Sequence, residues 1–588
     1  MYLAELNIRN FRKLRDVQLR FQPGLNVLVG ANNVGKSAVV DALRALLAGY
    51  EEPYPRLGAE DRHRSPQGEQ AGDIEFHYVF RGLGPDDEAD FLAALKPIAG
   101  GQAEAHFHVC YSDIDQGGRL RVRRWCGDHQ EVSLTADMIE NLRGVYLQPL
   151  RDAAQGLRPG RNSQLSRLLH LLTDDAGRQG INDALQRLDN ELRNHAPILG
   201  TQTAIADRHS AMLGAQLRQA LAVGLSASDF QRLSTRLTLS VDDFELEQNG
   251  LGFNNLIFMA VVLSELARNS DAAYRGLIVE EPEAHLHPQL QAVLLRYLAS
   301  LQEVEGEQPV QLFVTSHSPN FASNANLDCL VCLVESEGRV ETFFPREVRF
   351  GNGKREKLER YLDVTRAELF FARRVIFVEG AAEMMLVDAL AAAAGFDLRG
   401  HGVSLISVEG LNFDSFLPLF GENALKIPVA LITDADPSGV VVAGQPSQPL
   451  YPALGAVVQV SDNTANMLEL QDRYVRVFHG VKTLEYDLAL HPNNRTAMLS
   501  ALAEFHPQIA EDLRGAVNAA ADDAAKARAL FCGMFERPST QKNVQKGRFG
   551  QSLAYVIGEG AACEVPPYIH DAIAHVCQIP GQERRQND

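Results

Sequence analysis

The segment Gly30-Ala31-Asn32-Asn33-Val34-Gly35-Lys36-Ser37 constrains this chain more than any other. The apolar run Leu25 to Val29 precedes it, and Val39, Val40, Leu43, Leu46 and Leu47 follow at helical spacing. A glycine-rich turn between a strand and a helix wraps backbone N–H groups around phosphates, and the helix N-terminus adds positive potential. The first domain is therefore expected to be an α/β nucleotide-binding unit. Asn32, Asn33 and Gly35 shape its cradle, Lys36 reaches the β- and γ-phosphates, and the Ser37 hydroxyl ligates Mg²⁺.

An acidic partner strand should follow, and Leu277-Ile-Val-Glu280-Glu281-Pro-Glu283 supplies it. Glu280 is placed to hold the Mg²⁺ shell and Glu281 to polarise the attacking water. Glu280 stands where Asp is usual, which sets its carboxylate about one methylene further out. His317 ends the next apolar strand, Leu312 to Thr315, within reach of a γ-phosphate. Gln148 is either a Mg²⁺-sensing glutamine or a plain turn residue. His285 and His287 lack further ligands nearby and are read as loop residues, not zinc ligands. Cys329 and Cys332 lie in an apolar strand with no second pair and are read as buried strand cysteines.

Composition bounds the rest. The 588 residues imply about three to five domain-sized units. An apolar share of 45% excludes a largely disordered chain, and seven Cys are too few for a disulfide scaffold. The net charge of −19 excludes a DNA-coating protein, but an acidic catalytic site tolerates it. The start has no basic-then-apolar leader, and the longest apolar run, Leu256 to Leu263, is too short to span a bilayer. The expected location is a reducing cytoplasm, with no membrane partner.

Period-two patterns in DIEFHYVF, EAHFHVCY, RLRVRRW and EVSLT predict an antiparallel sheet over 73–135. Residues 160–238 read as a helical insertion whose apolar stripe serves either a satellite core or a dimer contact. The pattern resets near 365. The last 90 residues or so are mostly helical.

A second set of residues follows that reset. Val375 to Glu379 is a strand ending in a carboxylate, and Glu383 lies on the first turn of the next helix. Val429 to Asp434 is a second apolar strand ending in Asp434 and Asp436. In a parallel sheet both tips meet at the carboxyl edge. Carboxylates crowded there repel unless divalent cations neutralise them, and oxygen-only ligands favour Mg²⁺ or Mn²⁺. Glu485, in Thr483-Leu-Glu485-Tyr-Asp487, adds another acid. Lys546, in Lys-Gly-Arg-Phe-Gly, either supports the charge of a pentavalent phosphate or contacts a DNA backbone.

The first set resembles the ABC-type ATPases of the SMC/RecF group, as does the opening Ile8-Arg-Asn10-Phe-Arg12. There a signature segment from a second copy completes the nucleotide site. Glu247 to Asn255 (EQNGLGFNN) resembles it without the usual Ser-Gly-Gly core, which implies a head-to-head homodimer. The second set resembles a Toprim domain, implying two cations per site: Glu379, Asp434 and Asp436 on one, Glu383 with Glu485 on the other.

The order of motifs over nearly the whole chain resembles the OLD family of nucleases. The implied architecture is α/β: an ABC-type ATPase over 1–159 and 239–365, an insertion over 160–238 for dimerisation, and a Toprim domain with C-terminal helices over 366–588. The implied activity is ATP-linked, metal-dependent cleavage or nicking of DNA by a homodimer or higher oligomer, in defence against phage. Glu379, Asp434, Asp436, Lys546 and Glu281 are the implied catalytic residues. Some members work beside a UvrD-like helicase, as in Gabija-type systems, which this sequence leaves open. The rival reading is an SMC/RecF-like repair ATPase without nuclease activity.

Overall fold

The structure is a computed structural model. It describes residues 1–47, 54–65, 68, 71–115, 117–148, 156–160, 163–213, 217, 219–225, 229–242, 244–268, 272–301, 307–439 and 448–577.

The first unit is built on a six-stranded sheet in the order Arg339–Phe343, Leu330–Ser336, Leu25–Val29, Gln311–Thr315, Tyr274–Glu280, Leu142–Leu147. All neighbours are parallel except the antiparallel edge strand Arg339–Phe343. Every residue of Leu25–Val29 and Gln311–Thr315 is buried, because both faces of a parallel sheet are covered. Cys332 packs inside the strand Leu330–Ser336.

A second, antiparallel sheet runs Leu14–Arg20, Tyr2–Phe11, Ile74–Arg81, Ala103–Ile114, Leu95–Pro97, and Leu120–Cys126 also pairs with Ala103–Ile114. Phe76, Tyr78, Phe80, Phe107 and Val109 are its buried alternate positions. EVSLT forms no strand. Ser133 makes one isolated bridge to Trp125, and Thr135 instead caps the helix Ala136–Asn141 by accepting from the Met138 N–H. A threonine hydroxyl satisfies a free helix N–H better than it extends an exposed edge.

Within 160–238 lie the helices Gln164–Leu172, Asp175–Arg193, Ala196–Leu213 and Phe230–Ser234. The helix Leu251–Arg268 is longer than the run Leu256 to Leu263 suggested. It is the one helix, among the described residues, long and apolar enough by composition to cross a membrane. It lies against the first sheet, where Phe258, Val262, Leu263 and Leu266 pack with Leu277 and Leu312.

The third sheet runs Val403–Ser407, Arg374–Val378, Val429–Thr433, Val475–His479, all parallel. Helices follow it, including Leu484–Ala489, Lys546–Gly558 and Pro567–Cys577. Lys546–Gly558 packs against Ala381–Ala393 so closely that a Cβ at Gly550 would lie 3.0 Å from Ala382 Cβ. One apolar cluster continues from Leu312 through Phe370 to Phe377 and Val429, joining the two units. Ion pairs Lys354–Asp414, Arg473–Glu337 and Lys426–Glu341 flank that junction.

Candidate functional site

The glycine-rich turn sits at the carboxyl end of Leu25–Val29. Gly30 has φ 148°, and a Cβ there would strike the Leu333 carbonyl oxygen, so the neighbouring strand sets the turn's approach. Gly35 (φ 115°) and Asn33 (φ 62°) complete it. Lys36 opens the helix Lys36–Leu47, with Ser37 exposed beside it. The Lys36 ammonium donates to the carbonyls of Gly30 at 2.5 Å and Ala31 at 3.1 Å. Burial lowers its pKa to about 8, against the pull of Glu281 and Glu283.

Glu280 ends the strand Tyr274–Glu280 and accepts from the Tyr146 hydroxyl at 2.8 Å. Burial raises its pKa, and the Tyr146 bond opposes that rise. Glu281 takes a left-handed turn at φ 48°, its N–H donating to the Thr315 carbonyl at 3.0 Å. This turn sets its carboxylate 3.2 Å from His317 Nε2. Burial, then Lys36, lowers the His317 pKa, so the ring is held neutral.

Two roles escaped the sequence reading. Glu283 is buried and accepts from Ser316 Oγ at 2.6 Å and from the His317 N–H at 3.1 Å, which fixes the His317 loop. Tyr146 comes from a strand 134 residues before Glu280. Gln148 is exposed, one residue beyond that strand. Gly252, in the signature-like segment, lies over the His285 turn, where a Cβ would be 2.6 Å from the His285 carbonyl oxygen. His287 caps the helix Pro288–Ser300 through Nδ1.

The second site lies at the carboxyl edge of the third sheet. Glu379 follows Arg374–Val378, and its Oε1 accepts from Thr433 Oγ1 at 2.7 Å and from the Asp434 N–H at 2.9 Å. The two acidic strand tips are thus tied directly together. Asp434 Oδ1 accepts from the Leu484 N–H at 3.0 Å, at the start of Leu484–Ala489. Burial raises the Asp434 pKa well above the ordinary carboxylate value. Glu379, Glu485 and Asp436 push the same way, and Lys546 opposes. Glu383, on the first turn of Ala381–Ala393, is raised by burial and then by Glu485 and Glu379.

Glu485 is 2% exposed and accepts from Lys546 Nζ at 2.9 Å and Thr483 Oγ1 at 3.1 Å. Burial lowers the Lys546 pKa, but Glu485, Asp434 and Glu383 outweigh it and hold the ammonium protonated. Asp487 is buried as well; burial raises its pKa to about 7.

The convergence is less complete than four acids meeting at one point. Asp436 is exposed at φ 39°, because its N–H and that of Ala435 both turn to the Lys482 carbonyl. Among the described residues no three His, Cys, Asp or Glu side chains close into a ready metal cage. The donor set still suits a hard divalent cation. It is all oxygen, and after burial its acids push up the pKa of Asp434 and of Glu383 against the pull of the Lys546 ammonium.

Comparison with known proteins adds two family matches. The AAA ATPase domain family covers residues 1–92 and 139–322. The "Overcoming lysogenization defect protein-like, TOPRIM domain" family covers residues 370–436, from before Glu379 through Asp436. An OLD nuclease of Thermus scotoductus is 27% identical over 397 residues, 64% of this chain and 71% of that protein. Endonuclease GajA of Bacillus cereus is 20% identical over 457 residues, 74% of this chain and 75% of that protein. A solved structure, the C-terminal region of the Burkholderia pseudomallei OLD protein, is 30% identical, with a TM-score of 0.25. It covers 35% of this chain and 97% of that one.

Proposed function

Because this chain joins an AAA ATPase domain to an OLD-like TOPRIM domain, the architecture of the OLD family, we propose that it is an ATP-linked, divalent-metal-dependent DNA endonuclease acting in defence against phage. The observation that carries the reading is the bond between the strand tips: Glu379 held by Thr433 and by the Asp434 N–H, with the Asp434 pKa raised by burial and then by its acidic neighbours.

Glu379, Asp434 and Asp436 would hold one Mg²⁺ or Mn²⁺, and Glu383 with Glu485 a second. Such cations, when bound, neutralise the cluster, lower the pKa of a bound water and stabilise the leaving oxygen. The chain's own residues do the rest. Thr433 and the Leu484 N–H fix two carboxylates by hydrogen bonds that survive without a ligand. Lys546, kept protonated, balances Glu485 and sits where extra negative charge on a phosphate needs a cation.

In the ATPase unit the Gly30–Ser37 turn would hold the phosphates, with Asn32 and Asn33 on its exposed side. Lys36 would leave the Gly30 and Ala31 carbonyls for the β- and γ-phosphates, and Ser37 with Glu280 would serve Mg²⁺. Glu281 would take a proton from water while neutral His317 steadies it. Nucleotide binding by a homodimer would then gate DNA access. The helix Ala196–Leu213 supports a second copy docking on the insertion. No side chain on it is buried, and Leu199, Ile205 and Met212 are exposed.

A plasmid assay with Mg²⁺ or Mn²⁺, with and without ATP, tests the reading on wild type, Lys36→Ala and Glu379→Ala. Wild type should cleave and Glu379→Ala should not, while its ATPase activity persists. Lys36→Ala should lose ATP hydrolysis and any response of cleavage to ATP. Equal cleavage by wild type and Glu379→Ala leaves a repair ATPase of the RecF type as the answer.

A further inference from the structure

Asp487 is not among the residues assigned to cations, yet its carboxylate anchors the loop that shapes them. It is 4% exposed. Its Oδ1 accepts from the N–H groups of Val481 at 3.1 Å and Lys482 at 3.2 Å, and the Tyr568 side chain hydrogen-bonds to the same carboxylate. The Lys482 carbonyl, turned by these bonds, accepts from the N–H groups of Ala435 at 2.9 Å and Asp436 at 3.2 Å. Two residues further on, the Leu484 N–H reaches Asp434 Oδ1 at 3.0 Å. One buried carboxylate thus fixes a five-residue loop, and that loop grips both acids of the tip.

The grip has work to do. Asp436 sits at φ 39°, a left-handed conformation that strains a non-glycine residue and persists only where neighbours impose it. Gly480 makes room for the arrangement. A Cβ there would collide with Asp487 Oδ2 and lie 2.9 Å from Tyr568 Cε1.

We infer that Asp487 and Tyr568 are a positioning pair that holds the Asp434–Asp436 tip in its cation-binding shape through the 480–484 loop, without themselves touching cation or DNA. The inference rests on the metal-centre reading above. Outer partners of this kind change metal affinity by roughly 10- to 100-fold when removed.

The test uses the full chain stripped of metal. Mn²⁺ binding is titrated by electron paramagnetic resonance, and amide hydrogen exchange of the 434–437 segment is followed without any cation. Asp487→Ala should weaken Mn²⁺ binding about tenfold or more and speed exchange at Ala435 and Asp436. Asp487→Asn keeps a carbonyl oxygen for the two N–H groups and should recover most of both effects. Tyr568→Phe keeps the packed ring and should show a smaller shift of the same sign, so it decides the matter if Asp487→Ala fails to fold. ATP binding by the ATPase unit should be unchanged in all three. Wild-type Mn²⁺ affinity and exchange in Asp487→Ala and Tyr568→Phe would overturn the inference alone. A wild-type protein that binds no Mn²⁺ would overturn the metal-centre reading, and this inference with it.

Discussion

Lys546→Met probes the charge balance of the carboxylate site most sharply. The substitution keeps an apolar stem and deletes the ammonium that lies 2.9 Å from Glu485 Oε2. Glu485 has a side chain only 3% exposed, so it would keep a buried charge with one neutral donor, Thr483, beside Asp434 and Glu383. Breaking a fully buried pair costs about 3–5 kcal/mol. Lys546 is 46% exposed, so water already screens part of the attraction. The discounted loss is about 1–2 kcal/mol. For a unit of roughly 200 residues that is a fall in Tm of about 2–8 °C. Calorimetry without metal measures it, and Lys546→Met combined with Glu485→Gln should regain most of the loss, because a neutral amide needs no counter-charge. If the single variant melts with wild type and the double variant changes nothing further, the pair carries no charge compensation and the electrostatic account of this site is wrong.

Other expectations follow from the same geometry. Lys36 has its pKa lowered from 10.5 to about 8, so ATP affinity should fall as pH rises through about 8, where the free cradle loses its ammonium; flat affinity from pH 7 to 9 would contradict this. The linked stability runs the other way: a buried base with a depressed pKa opposes folding as pH falls from 10.5 toward 8, so Lys36→Met should gain most below that window. Gly30→Ala should abolish ATP binding, because its Cβ meets the Leu333 carbonyl at a backbone angle only glycine tolerates; isothermal titration reads it. Asp436→Asn should leave Tm within about 0.5 kcal/mol-equivalent of wild type, since the side chain is exposed, yet eliminate plasmid cleavage.

What could be read from the sequence was local. The Gly30–Ser37 turn announces itself because phosphate binding needs its glycines and lysine at fixed offsets along one strand–helix junction. The tips at Glu379 and Asp434 stand out for a related reason: apolar runs end abruptly in acids, and parallel strands bring such ends to one edge. Several partners of the site acids were hidden. Tyr146 reaches Glu280 from a distant strand and the Leu484 N–H reaches Asp434 from a later helix, and a backbone N–H carries no sequence signal at all. EVSLT alternates like a strand, but Thr135 was worth more as a helix cap. Leu251–Arg268 begins ahead of its apolar core run, and buried Asn254 in that first part donates its side-chain N–H to the Leu246 carbonyl. The outward turn of Asp436 depends on one carbonyl, that of Lys482, which no spacing rule identifies.

The central claim is that the acids at the two strand tips gather divalent cations. An anomalous-difference map from crystals grown with Mn²⁺ tests it most directly. The account predicts two peaks, one among Glu379, Asp434 and Asp436 and one beside Glu383 and Glu485. Crystals in which Mn²⁺ is bound elsewhere and this edge shows no peak would contradict it.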